Sequence, residues 1–559
     1  MPGALRAGCL LLLLWGSFAG PARAQFPAVA TQTLYVCNAT GNQVGVQAFA
    51  DGAGGAYSVW IDRRAGDGSG AGTAIFAQRL DAAGTRQWGT TGLRLFQTRR
   101  REIYGLSAVP WQNGMLVAWV QGAFNVGSDS VRCQYYDAAG VPQWATPTVV
   151  AALNATASVY EGGLNVIPND SGATVTHGLA FFFGGGSGFS FNRVNFAGRR
   201  RYSNQRFQLS LPGAGYFTAI ADGSNGIYVA GSSGGLGTPI YAQRYDLFGT
   251  PWAAPFNLSA TGAGGAGNSR WVLLRDPANA LYVVWESAAS DVIVEKITPA
   301  GLRAWALPGF VNLCPNPSQQ SNPAALWTNN ALWVVWNDDR GNTGTLARTT
   351  YAQQMTAAGA LAWPATGVLI NSLPATFTYP KLAASDNGAV MAFFATGGST
   401  GFRAQKILPN ATLAFPVNGV ALHTTITDGP SAADFVPVSQ PNGSVQVYWS
   451  STGTVGTARD ICAGRLQRTG TLLGAIERTA EAADFAAYPN PATAILRLRF
   501  PAGLAPSRLR LFDVQGRLLR DLPGSAITDQ LSLTGLPPGF YTLRATCADH
   551  ELTRRVVLE

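Results

Sequence analysis

The chain of 559 residues has 12% charged and 11% aromatic residues, 66 glycines, 32 prolines and a net charge of +9. This composition argues against long exposed helices and against disorder, because the aromatics and regular apolar runs supply ample surface to bury. The charge is thinly spread, without a basic block interleaved with aromatics, so no nucleic-acid partner is expected.

Residues 1–24 read as a secretory signal peptide: Arg6 is the basic element, Cys9 to Trp15 the apolar stretch, and Ala22-Arg-Ala24 a small-x-small cleavage site before Gln25. The apolar run is short of the ~20 residues that a spanning helix needs. Cys9 precedes the cleavage site instead of following it, which argues against a lipoprotein. No later segment reaches transmembrane length. Cleavage leaves Cys37, Cys133, Cys314, Cys462 and Cys547, far apart and without a CxxC, which is neither a disulfide scaffold nor a zinc site.

Residues 25–480 are filled by a repeat. Each unit opens with a turn and a strand ending in an aromatic, as in Asp51 to Trp60, Asn113 to Trp119, Asp222 to Val229, Asn279 to Trp285, Asn330 to Trp336, Asn387 to Phe393 and Asn442 to Trp449. A variable Gly/Ser-rich loop follows, then a second strand of the type Phe76-Ala-Gln-Arg-Leu80, closed by a turn glycine and a tryptophan. The turn position falls at Gly84, Gly140, Gly198, Gly249, Gly301, Gly359, Asn410 and Gly470, at intervals of 51 to 60 residues. Asn is the expected substitute because it tolerates a left-handed backbone. The third unit is degenerate, with Phe181 to Gly188 as its first half and Asn192 to Gly198 as its second.

Fifty-odd residues with several short alternating strands are blade-sized, and a lone sheet of this kind cannot bury both faces. The expected architecture is all-β: an eight-bladed β-propeller, with a seven-bladed ring or two smaller propellers as the variants. Trp88, Trp144, Trp252, Trp305 and Trp363 share one repeat position. That points to packing between blades more than to sugar stacking. The Gln of the Tyr/Phe-Ala-Gln strand is expected to satisfy neighbouring backbone.

Composition changes near Glu477 to Asp484, and residues 481–559 read as a small β-sandwich of short strands separated by Gly/Pro turns, Gln515-Gly516 among them. The segment contains Tyr488-Pro489-Asn490-Pro491, Asp513-x-x-Gly516-Arg517, Leu536-x-x-Gly539-x-Tyr541 and the basic-apolar end Arg554 to Leu558. These blocks closely resemble the type A C-terminal sorting domain of the type IX secretion system of Bacteroidetes. The final Glu559 departs from the basic or apolar tail common in that family. The resemblance implies export through the periplasm, recognition by the type IX machinery, and release or attachment at the outer surface. It implies nothing about the activity of the larger region.

Chemistry is sparse. His177, His423 and His550 are the only histidines, and no HExxH, G-x-S-x-G or metal-spaced cluster occurs. Gly184 to Gly188 lacks the context of a phosphate loop. Asp62, Glu286, Asp338 and Asp339 follow the aromatic end of a strand in their units and are expected at one end of the propeller. There they would suit Ca²⁺, sugar hydroxyls or a glycosidase pair, unless each pairs with a nearby arginine, Asp62 with Arg63 or Arg64 and Asp339 with Arg340. No other cofactor is expected. The expectation is a secreted or surface-displayed binding or structural module, with glycan as the leading ligand. The alternative is an extracellular carbohydrate-active enzyme using the acids at the propeller mouth.

Overall fold

The computed structural model describes residues 26–64, 72–98, 102–122, 129–152, 157–181, 187–202, 207–209, 215–232, 237–261, 266–306, 308–340, 347–375, 379–395, 401–424, 435–452, 458–472, 485–500, 506–513, 517–546 and 551–559. The signal sequence, Gly184 to Gly186, the segment 477–484, Gln515, Gly516, Cys547 and His550 lie outside the described residues. The chain divides into two compact bodies, Met1–Gly474 and Ala475–Glu559.

The larger body contains eight four-stranded antiparallel sheets in a propeller-like arrangement. Sheet one is built from Gln43–Ala50, Ala56–Asp62, Ala74–Leu80 and Leu93–Gln97 in that order. Sheets two to seven follow the same plan over 102–152, 157–209, 216–257, 266–312, 320–375 and 381–423. Sheet eight takes Val436–Ser439, Val445–Thr452 and Arg459–Leu466 from the end of the body, and its outer strand, Leu34–Cys37, from the beginning. Leu34 pairs with Ala463 and Tyr35 with Cys462 in that ladder. The first strand of each sheet packs against the first strand of the next, and Val436–Ser439 of sheet eight packs against Gln43–Ala50 of sheet one.

The second strands show why the sequence alternates as it does. Successive side chains of a strand point to opposite faces, and here each face meets a different neighbour. Met115, Val117 and Trp119 join Val59 and Ile61 of sheet one in one apolar cluster. Leu116, Ala118 and Val120 join Val166 and Val175 of sheet three in another. Both faces are therefore apolar, and each fully buried Val or Leu contributes about 1.5–3 kcal/mol.

Two details differ from the sequence reading. The second strand of sheet three is Gly172–Phe181, entered by a turn at Asn169 to Gly172, so the first half of the unit precedes Phe181 and does not begin there; the third strand is Ser187–Asn195. In sheet seven the left-handed turn residue is Ala411 (φ 68°), not Asn410. The amide of Ala411 donates to the Leu408 carbonyl, as Gly359 does to Thr356 and Gly470 to Gln467. Those hydrogen bonds fix the turn position, and they outweigh the intrinsic preference of Asn for that backbone region.

The smaller body pairs a three-stranded sheet (Ala486–Tyr488, Ile495–Arg499, Gln530–Ser532) with a four-stranded one, ordered Leu518–Pro523, Arg508–Asp513, Gly539–Thr546, Glu551–Leu558. Leu496, Leu509, Leu511, Leu543 and Val556 alternate inward to form its core.

Candidate functional site

The turn end of the sheets is built from three recurring contacts. The Gln of the third strand is buried and closes a local circuit. Gln353 Nε2 donates to the Pro364 carbonyl at 2.9 Å, while its Oε1 accepts from the amides of Gln354 and Trp363. Gln78, Gln134, Gln243 and Gln405 bond likewise, and Asn192 substitutes in sheet three.

The repeated aromatic lies against the turn of the next sheet. Trp144 Nε1 donates to the Phe196 carbonyl at 3.0 Å, Trp252 to Pro299 at 3.0 Å and Trp363 to Pro409 at 2.9 Å. A Cβ on Gly198 would lie 2.5 Å from Trp144, and one on Gly359 3.0 Å from Trp305, so both glycines leave room for an indole. Trp88 approaches Gly140 more loosely and packs on Tyr57. Phe415 takes the place in sheet seven, against Gly470. Phe26, from the start of the described chain, lies against Gly84 of sheet one.

The third contact is an ion pair between the first turn and the residue after the Gln: Asp51–Arg79 (2.9 Å), Asp222–Arg244 (2.8 Å), Asp276–Lys296 (3.0 Å) and Asp386–Lys406 (2.5 Å). In sheet five Glu295 stands where the Gln stands elsewhere. It is fully buried and ion-paired with Arg303 at 2.6 Å. Burial pushes its carboxyl up to about 7 against the pull of Arg303.

The four acids singled out from sequence lie where second strands end, beside the entry to the first strand. Asp62 is paired in register with Gln43 and Asp338 with Gln320. Asp62 is buried, accepts from Trp60 Nε1 at 2.9 Å and pairs with Arg64 at 2.6 Å. Asp338 repeats this with Trp336 at 3.1 Å and Arg340 at 2.5 Å. Burial raises the Asp338 carboxyl, but the guanidinium and amide of Arg340 hold it below the usual range. Arg340 thus pairs with Asp338 and not with Asp339, whose Oδ1 instead accepts from the Gln319 amide at 2.7 Å. Glu286 is half-buried and accepts from the Asn322 amide at 3.4 Å. Among the described residues no three His, Cys, Asp or Glu side chains gather as a metal site would require.

Beside Asp62 and Asp338 lie cysteines that sequence reasoning named but did not connect with them: Cys37, at the end of the outer strand of sheet eight, and Cys314, just after the last strand of sheet five. Cys37 Sγ accepts from Arg64 at 3.0 Å, and Cys314 Sγ from Arg340 at 2.8 Å. The guanidiniums also lie 3.9 and 3.8 Å from the rings of Phe76 and Tyr351. A signal existed: Cys37 and Gln43 share a spacing with Cys314 and Gln320, each pair followed by Trp-x-Asp-x-Arg. Burial raises both thiols in spite of the arginines. The four described cysteines are all buried free thiols. His177 is buried in sheet three. His423, also buried, lies 3.4 Å from Thr33 Oγ1 and packs near Trp449; burial lowers its pKa.

In the smaller body Asn490 grips the terminal strand: its Nδ2 donates to the Arg555 carbonyl at 2.8 Å, and its Oδ1 accepts from the Val557 amide at 2.7 Å. Tyr488-Pro489 and Asn490-Pro491 are both cis. Asp513 and Arg517 fasten one hairpin through a 2.7 Å ion pair. Gly539 opens the strand that buries Tyr541, whose hydroxyl donates to the Pro537 carbonyl.

Fold and geometry together define an all-β repeat protein followed by a strand-clamped sandwich. Residues 486–559 match the family model of the secretion system C-terminal sorting domain, so the chain carries a type IX sorting signal and engages that machinery through it. It is a secreted or surface protein of that route. Among the described residues no helix is long and apolar enough to cross a membrane.

No curated protein matches the chain. Among solved structures it is similar to a post-proline cleaving enzyme from Rickettsia typhi (8% identity, TM-score 0.38), covering 72% of this chain but only 57% of that one. It is also similar to Sqt1 of Saccharomyces cerevisiae (11%, TM-score 0.42, 78% and 99%). A third likeness is to the β-propeller domain of the trilobed protease from Pyrococcus furiosus (6%, TM-score 0.35, 72% and 99%). At these scores the likenesses lend nothing to a reading of function.

Proposed function

We propose that the larger body is a closed eight-bladed propeller that works outside the cell as a rigid binding module, with glycan as its ligand class. The contact of sheet eight with sheet one, together with the outer strand lent by Leu34–Cys37, supports closure. The observation that carries the binding role is an asymmetry between the two ends of the sheets. One end repeats the same Gln circuits, ion pairs and aromatic seats. The other joins second to third strands by segments of unequal length, from the short 287–292 to the longer 62–74. Rigid scaffolds with variable connections at one end are suited to recognition.

Asp62 and Asp338 are each neutralised by an arginine, which weighs against their use as a general acid or base in the enzymatic alternative. The test is a binding screen of the purified full chain on a polysaccharide panel, each hit then incubated and examined for shortened products. Binding without shortening is expected. Shortened products, lost on changing Asp62, Glu286, Asp338 or Asp339, would replace this reading with the enzyme; an absence of binding would remove it.

A further inference from the structure

Sheet three departs from the repeat in its charge; sheet eight also leaves its base, Arg465, to carbonyls and a serine, but sheet three adds three further arginines in the same hairpin. In sheets one, four, five and seven the base after the third-strand Gln or Glu is neutralised by an aspartate of the first turn. Sheet three keeps the base, Arg193, but the acid of its tighter first turn, Asn169 to Gly172, is the exposed Asp170, which bonds to Asn225 and not to Arg193. Arg193 is 4% exposed and donates to the carbonyls of Asn225 (2.9 Å) and Asp246 (2.7 Å). Among the described residues no carboxylate lies within ion-pair distance of it, Asp246 and Asp222 acting on it only at longer range, and its Nε has no hydrogen-bond acceptor there. Three further arginines, Arg199, Arg200 and Arg201, follow in the same hairpin, held by the Arg199 amide on Asn195 Oδ1 and the Arg201 amide on the Arg193 carbonyl. None of these three is paired with an acid among the described residues.

All four arginines line one cleft of about 250 Å³, together with Asn169, Ser171 and Asn195. The adjoining Asp170 is exposed and bonds to Asn225. A chain with only 12% charged residues here concentrates four guanidiniums, none within ion-pair distance of a carboxylate among the described residues, the strongest acidic influence on Arg193 being Asp246. Guanidinium groups offer paired N–H donors that match the two oxygens of a carboxylate or sulfate.

We propose that the Arg193–Arg201 hairpin of sheet three is an anion-binding cleft, and that it seats a carboxylate or sulfate group of an acidic polysaccharide. The proposal rests on the glycan-binding reading above for its ligand class and names the class of glycan, but seats it at the turn end of the sheets, opposite the second-to-third connections.

The experiment measures binding of the full chain to polygalacturonate, to a sulfated polysaccharide and to neutral dextran, beside Arg199→Ser/Arg200→Ser and a control of equal charge change, Arg94→Ser/Arg497→Ser. All four substituted side chains are solvent-facing, so the fold is expected to survive. Expected are binding to an acidic polymer over dextran, a loss of about tenfold or more in the cleft variant only, and weakening as salt rises from about 0.05 to about 0.5 M. Equal binding by the cleft variant and the wild type, or equal losses in the two variants, would overturn the cleft. Binding to neutral glycans alone would overturn it while leaving the module reading intact, whereas binding to no glycan would remove both. Single-stranded DNA retained as tightly as the acidic polymer would overturn the polysaccharide assignment.

Discussion

Sheets one and three run the same hairpins to different ends. In sheet one Arg79 meets Asp51 at 2.9 Å and Trp88 follows the turn. In sheet three Arg193 is left to backbone carbonyls, and the half-buried Tyr202 replaces the tryptophan, its hydroxyl donating to the Phe248 carbonyl at 3.3 Å. The residues that recur are those that close polar circuits and seat one sheet on the next. The departures release charge and surface. In a repeat protein, then, a broken rule is a better guide to a site than a kept one.

The sharpest way to break that comparison is to remove the seats themselves. Trp363→Ala is expected to cost about 3–5 kcal/mol, since a buried indole leaves a cavity over the turn of sheet seven. Tyr202→Ala, half-buried, should cost about 1 kcal/mol. Chemical denaturation of both variants decides it; equal losses would mean that sheet three is seated like the others.

The buried carboxylate of sheet five sharpens the role of the Gln position. Below about pH 4.5 Glu295 is protonated in folded and unfolded chains alike. Between its ordinary value of 4.5 and about 7 the folded chain keeps a proton that the unfolded chain has lost, so this group's contribution to stability falls as pH rises and levels off above 7. Glu295→Gln should therefore gain on the wild type by about 1–3 kcal/mol between pH 4.5 and 7. Melting temperatures at acid, intermediate and alkaline pH measure it, and a gain that does not change with pH would show that the carboxyl is not held neutral by burial.

The smallest expected effect is at Ala411. Its left-handed backbone strains a residue with a Cβ, so Ala411→Gly should stabilise by about 0.5–1 kcal/mol. Asn410→Gly should give no such gain. The reverse order would restore Asn410 as the turn residue.

Legibility followed where the chemistry is concentrated. Second and third strands carry the aromatics, the Gln and the turn glycine in most units, so the recurrence could be read directly, while sheet three, with Asn192 at the Gln position, hid the place of its second strand. First and fourth strands carry no such signature: Phe256–Asn257 is two residues long, and Gln320–Thr328 contains Pro323 and a shift of register. Phe26 against Gly84 was invisible because Phe26 stands before the first unit, without the preceding strand and turn glycine that mark the other seats, although its 58-residue separation from Gly84 matches the repeat. The pairing of Arg340 with Asp338 was misread as Asp339 because adjacency in sequence ignores strand alternation. Asp338 shares a face with Trp336; Asp339 does not. The arginines at 199–201 stood in plain view, but only the hairpin brings Arg193 beside them.

The strand Leu34–Cys37 has a consequence for the order of events in the life of the chain. Its partners lie more than 400 residues downstream, as does the Ser450 hydroxyl that bonds the Gln43 carbonyl. Contacts of such separation are slow to form because loop closure precedes any gain from pairing. A chain released before Arg459–Leu466 is made leaves Leu34–Cys37 without a ladder and Arg459–Leu466 absent from the last sheet. Completion of the eighth sheet therefore awaits almost the whole larger body, and the sorting module, encoded after it, emerges later still. The address is thus synthesised only after every described strand of the larger body exists.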